Sequence, residues 1–226
     1  MILKAERISK NFSRQGREFP VLKETDFRLK EGCLCILQGK SGSGKTTLLN
    51  ILSGILSPTS GRVSLDGTDL YAMNDRALSR FRAEHFGIIP QGQSAVSALT
   101  VLENILLPAS IARQAGVSED DVTGRARELM EKMRISELAD SLPRDLSGGE
   151  LRRMAIARAL IRDPQVIFAD EPTGDLDREN TDAVFRILKE AAQAGKAVLI
   201  VTHEQCAGEY ADEMYRMADG ACALLA

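Results

Sequence analysis

The chain has 226 residues, enough to bury one substantial core together with a subdomain. Hydrophobic residues make up 44% and charged residues 27%, a balance that excludes disordered and fibrous classes. A formal net charge of −3 gives no electrostatic reason to bind nucleic acid, so no nucleic-acid partner is expected, and Arg80, Arg82, Arg152 and Arg153 read as solvated helix faces.

The opening segment MILKAERISKNF lacks the long apolar core of a signal peptide. No apolar run reaches the roughly eighteen residues needed to span a bilayer, so the expectation is a cytosolic chain. ILKAERIS (2–9) and VLKETDFRL (21–29) alternate apolar and polar residues, as strands do. CLCILQG (33–39) is almost continuously apolar and reads as a strand buried on both faces, with Cys33 and Cys35 acting as small hydrophobes. Cys206 and Cys222 complete the cysteines without forming a C-x-x-C pair, and two histidines, His85 and His203, are too few for a histidine-rich metal site. A helix follows over Lys45–Leu52 and stops at Gly54. SPTSGRVSLDG surrounds a short strand, and FGIIPQ is another.

From Thr100 to Ile161 the pattern is helical. VLENILLPASIA is predicted to break or kink at Pro108. SEDDVTGRARELMEKM begins at a Ser118 cap with acids in its first turn. GGELRRMAIARALI is rich in helix formers and ends at Asp163-Pro164. Strands then return as QVIFAD and AVLIVT, separated by a helix that ends at Gly195. EMYRMA and CALLA form a final hairpin through Asp219-Gly220. The fold class is therefore α/β: a core from 1–91 and 163–226, interrupted by a helical insertion at 92–162.

GKSGSGKT, Gly39 to Thr46, fits G-x-x-x-x-G-K-[ST] between a buried strand and a helix, the context that a phosphate-binding loop requires. Gly39, Gly42 and Gly44 let the backbone curl until successive N–H groups point inward at phosphate oxygens, and the helix N-terminus adds positive potential. The candidate nucleotide-binding set is Gly39, Lys40, Ser41, Gly42, Ser43, Gly44, Lys45, Thr46 and Thr47. Within it, Lys45 reaches the β- and γ-phosphates and the Thr46 hydroxyl binds Mg²⁺. VIFADE places Asp170 and Glu171 at the carboxyl end of a buried strand, the end that faces the ligand crevice in open α/β sheets. Asp170 is the candidate Mg²⁺ holder and Glu171 the candidate base for an attacking water. Together the two motifs imply a domain that binds ATP or GTP, with Mg²⁺ as cofactor.

LSGGE, Leu146 to Glu150, then opens a second glycine-rich helix start. With it, the chain resembles the ATP-binding cassette (ABC) family over Phe12–His203, in the family's motif order. The resemblance implies a P-loop NTPase (RecA-like) core with an antiparallel β subdomain and an inserted helical subdomain. It implies that Phe12 stacks on adenine and that Gln91 is the Q-loop residue, serving catalysis and Mg²⁺. It further implies that Gly174–Asp177 is the D-loop and that His203 is the switch histidine. Two cassettes of this family pack head to tail, so Ser147, Gly148, Gly149 and Glu150 face the ATP held by a second chain. ADEPTGDLD and LTVLENILLP look most like the lipoprotein-release, macrolide-export and cell-division branch, whose cassettes sit on the inner face of the membrane beneath a permease subunit.

The chain departs from the family at Phe12, where Tyr is usual, at Glu150, where Gln is usual, and at Asp175, where the branch often has Asn. Two other readings compete: a soluble mechanical ATPase of DNA repair, chromosome condensation or translation, and a cassette that binds ATP without turnover. The helical region is too short for the coiled coil of the repair and condensation members, and one cassette is one fewer than translation members carry. Intact Lys45, Asp170, Glu171 and His203 oppose the second reading.

Overall fold

The computed structural model describes residues 2–92, 94–111, 118–174 and 176–225. Strand β1 (Ile2–Arg14) pairs antiparallel with β2 (Arg17–Lys30) across a turn in which Gln15 and Gly16 have φ of 52° and 74°. With β4 (Ser60–Leu65) and β5 (Thr68–Asp69) they form a four-stranded antiparallel sheet ordered β2-β1-β4-β5. Both β1 and β2 extend beyond the predicted strands. The added pairs, Phe12 with Phe19 among them, are exposed at the tip, where the ladder holds the chain without burial and the sequence need not alternate.

The second sheet contains β3 (Leu34–Gly39), β6 (Phe86–Ile89), β7 (Val166–Asp170), β8 (Ala197–Thr202), β9 (Glu213–Ala218) and β10 (Ala221–Leu225). Its order is β10-β9-β3-β8-β7-β6, parallel throughout except for the β9/β10 hairpin. That hairpin turns at Asp219 and Gly220, with φ of 48° and 77°, as the dipeptide predicts. The central strands are buried on both faces. Leu34, Ile36, Ile167, Ala169, Val198 and Ile200 point into one core, and Cys35, Leu37, Phe168, Leu199 and Val201 into the other. The first core is closed by helices α3 (Val101–Ile111), α4 (Glu119–Lys132), α5 (Gly148–Leu160) and α6 (Arg178–Gln193). The second is closed by α1 (Lys45–Leu52) and the antiparallel sheet.

Three expectations need correction. First, α3 runs through Pro108 instead of breaking. Proline removes only the bond to the Asn104 carbonyl, and the fully buried Asn104 side chain stitches the helix start in place. Its amide donates to Val96 O, Leu99 O and Thr100 O at 3.1, 2.9 and 2.9 Å, and its Oδ1 accepts from Val96 N at 2.8 Å. Second, the helix that carries Arg80 and Arg82, to which the sequence pattern assigns no bounds, is α2 (Asp75–His85), ahead of β6. It buries only Leu78, so it carries almost no apolar period, although its Asn74 cap is a visible start signal. Third, Arg82, Arg152 and Arg153 are half-buried and partnered. Arg82 donates to Gly54 O at 2.6 Å, Arg152 to Pro90 O at 3.1 Å and Arg153 to Asn180 Oδ1 at 2.8 Å. Arg80 is the solvated one, paired with Glu84 on its own helix. Where the helices return to the sheet, Asp163 (φ 54°) lies between Arg125 of α4 at 3.1 Å and Lys196 at 2.9 Å.

Candidate functional site

The loop from β3 to α1 is pressed against its neighbours. A Cβ added at Gly39 would lie 2.4 Å from Met217 O, and one at Gly44 would lie 2.9 Å from Val21 O. Gly42 and Gly44 also take φ of +76° and +106°, which β-carbon-bearing residues resist. The glycines thus let the loop curl while two strands pack on it. Its inner side forms the floor of a cleft of about 490 Å³. Ser41, Gly42, Gly44, Lys45, Thr46 and Thr47 of the loop line it, together with Val21, Gln91, Glu171 and His203. Five separated chain segments therefore supply one pocket. Lys45 is 8% exposed, and its ammonium donates to Gly39 O at 2.8 Å and Lys40 O at 3.1 Å, which holds the cation over the loop. The Ser43 hydroxyl is buried with no hydrogen-bond partner among the described residues.

β7 delivers the two acids. Asp170 is 4% exposed and its Oδ1 has no partner among the described residues. Burial pushes its pKa up, while a hydrogen bond from the Thr46 hydroxyl pulls the other way. A buried carboxylate with an unpaired oxygen, beside a hydroxyl, is a donor set that suits a hard divalent cation. These residues fit Mg²⁺.

Glu171 follows at φ 47°, a left-handed conformation that is rare for a residue with a side chain and is common at functional sites. Its N–H donates to Val201 O at 2.8 Å, which fixes the turn to β8. That turn brings its carboxylate Oε2 3.0 Å from His203 Nδ1 and 3.4 Å from the His203 amide. The bond to Glu171, and then the charge of Glu171, raise the His203 pKa. His203 itself is exposed, so the pair stands at the mouth of the cleft.

Two sets of expected residues lie apart from this cleft. Phe12 is 40% exposed, opposite Phe19 at 48%, with Lys10 Nζ 5.3 Å from its ring centre. The exposed Phe19 is a second ring that the motif reading missed. Ser147, Gly148, Gly149 and Glu150 begin α5 and do not line the pocket. They are ordered by a capping box. Glu150 Oε2 accepts from the Ser147 amide and hydroxyl, each at 2.7 Å, and Ser147 Oγ accepts from Glu150 N at 3.4 Å. The Ser147 side-chain bond, followed by its backbone bond, holds the Glu150 carboxyl below its ordinary pKa. The replacement of Gln by Glu thus gives the helix start a charge-assisted cap. Of the expected D-loop, Asp177 caps α6 by accepting from Asn180 N at 2.8 Å, and Asp175 lies outside the described residues.

The chain is similar to known proteins over nearly its whole length. The sequence profile of the family described as ABC transporter matches residues 22–174. The lipoprotein-releasing system ATP-binding protein LolD of Bacteroides fragilis is 38% identical, covering 95% of this chain and 97% of its own. The bacitracin export ATP-binding protein BceA of Halalkalibacterium halodurans is 36% identical, covering 97% and 86%. The dimeric post-hydrolysis structure of the ATP-binding cassette MJ0796 with ADP and Pi superposes with a TM-score of 0.91 at 30% identity, covering 99% of each chain.

Proposed function

The chain belongs to the ABC transporter family, and from that premise we propose how it turns ATP into work. It is an ATP-hydrolysing subunit that dimerises head to tail around ATP and drives a separate membrane permease. Its relatives with printed activities serve transport systems, which leaves no observation favouring a soluble mechanical ATPase. No described helix is long and apolar enough to cross a membrane. The chain then works as a peripheral subunit on the inner face of the membrane, with 1–91 and 163–226 as its catalytic core and 92–162 as a helical unit.

In this reading the loop amides of Gly39–Thr47 and the Lys45 ammonium receive the phosphates, and Phe12 stacks on the adenine. Thr46, Asp170 and Gln91 would hold Mg²⁺, which would supply positive charge to offset that of the nucleotide phosphates. Glu171 takes the proton of the attacking water, and His203 orients Glu171 and the γ-phosphate. Ser147–Glu150 of the second chain close the site from above. The observation that carries the reading is the convergence of Lys45, Thr46, Gln91, Glu171 and His203 on one cleft. The test is Glu171→Gln, which keeps the shape but cannot accept a proton. ATP binding should persist while hydrolysis falls on the order of 10²–10⁴; hydrolysis at the wild-type rate would remove Glu171 from this role.

Permease docking belongs to the face that follows Gln91. Val96 is 41% exposed and Ile111 77%, apolar surface left over after α3 has packed. Val96→Glu should leave basal ATPase intact and reduce permease-stimulated ATPase and transport. Unchanged stimulation would move the docking site elsewhere.

A further inference from the structure

The segment between β6, which ends at Ile89, and α3, which begins at Val101, contains Gln91, and none of its described residues joins a sheet ladder. A catalytic side chain on such a stretch needs other restraints. Beside Gln91 itself two are present, and both come from α5, while Asn104 of α3 holds the far end of the segment at Val96, Leu99 and Thr100. Arg152 donates to the carbonyl of Pro90, the residue before Gln91, at 3.1 Å. Arg158 donates to the carbonyl of Ser94 at 2.7 Å and also bonds the Ser94 hydroxyl. The two guanidinium groups therefore grip the backbone on either side of Gln91. The helix that carries them is the one whose first turn is the Ser147–Glu150 capping box.

We infer that Arg152 and Arg158 are positioning residues for Gln91, fixing its turn to the signature helix so that Gln91 and Ser147 move together. This rests on the role proposed above for Gln91. Arginine suits the task because its planar fork directs several donors at once, and Arg158 uses two of them on Ser94. Small misplacement of a positioning group costs rate more than affinity, since the nucleotide is held mainly by the phosphate loop.

The test is a double-mutant cycle in the full-length protein, reading kcat of ATP hydrolysis and ATP affinity for Gln91→Ala, Arg152→Met and the double variant. Arg152→Met should lower kcat on the order of tenfold with ATP affinity within about twofold. The double variant should be no slower than Gln91→Ala alone, because both changes remove one function. Arg152→Lys, which keeps a donor, should restore part of the rate. Losses that multiply, or an unaffected kcat in Arg152→Met, would overturn the inference. An unaffected kcat in Gln91→Ala would instead refute the role of Gln91, and a second readout then decides the tether. That readout is amide hydrogen exchange over 91–95, ahead of the point where Asn104 holds Val96. Exchange there should quicken when Arg152→Met or Arg158→Met is introduced; unchanged exchange in both would show that the tethers do not hold the turn.

Discussion

Lys45 shows how one side chain can be both buried and available. Its ammonium is held by two loop carbonyls, interactions that phosphate oxygens replace with stronger, charge-assisted bonds of about 1.5–3 kcal/mol each. Lys45→Ala should therefore remove useful ATP binding; unchanged affinity in calorimetry would refute the assignment. The Glu171–His203 bond makes a prediction about pH. The folded-state pKa of His203 lies above its ordinary value near 6.5. The stability from this bond is then fully present below about pH 6.5 and is lost as pH rises through the raised value. The gap in Tm between wild type and His203→Ala should be small, because the imidazole is exposed, and should shrink toward alkaline pH. A gap that widens there would contradict the pairing. The phosphate loop was legible because its chemistry is local and its spacing is fixed by backbone geometry. The left-handed turn at Glu171 and its bond to His203 were not, since they join residues 32 apart that only the β7/β8 ladder brings together.

At the scale of elements, buried strands announced themselves by continuous apolar runs, and α4, α5 and α6 by caps and composition. The helix that escaped, α2, buries one residue; without an apolar stripe, period carries no signal. The helix that defied its proline did so because one of its own buried side chains, Asn104, secured its start through bonds to the preceding turn. Arg152 and Arg153 of α5 were misread because sequence shows a charge but not the oxygen it will meet 62 or 27 residues away. The capping box on α5 gives this scale its prediction. Ser147→Ala removes the acceptor for Glu150 N and a donor to Glu150 Oε2. It should cost about 0.5–2 kcal/mol of stability, read as a lower midpoint of denaturant unfolding with unchanged slope. An unaltered midpoint would mean that the box seen at this helix start adds no stability.

At the scale of the whole molecule, the cleft is incomplete within one chain. Its lining takes residues from the loop, β2, the Gln91 turn and the ends of β7 and β8, and none from Ser147–Glu150. If those four residues act on ATP, a second chain must present them, and two sites then form from exchanged halves. In Glu171→Gln, ATP binds but is not cleaved, so the protein should elute as a dimer in ATP and as a monomer without it on size exclusion. Adding Ser147→Arg should abolish that dimer by placing a long side chain in the joint. Exchange of halves also predicts complementation. Lys45→Ala lacks a working phosphate loop, and Ser147→Arg lacks a working signature, so neither is active alone. Mixed, they can form a heterodimer in which one site combines the intact loop of the Ser147→Arg chain with the intact signature of the Lys45→Ala chain, while the single substituted signature faces the Lys45→Ala loop, which holds no ATP to close upon. ATPase activity should therefore appear on mixing two inactive proteins, and should rise with total concentration as pairing does. A mixture that stays inactive while wild type is active under the same conditions would mean that each site draws its loop and its signature from a single chain.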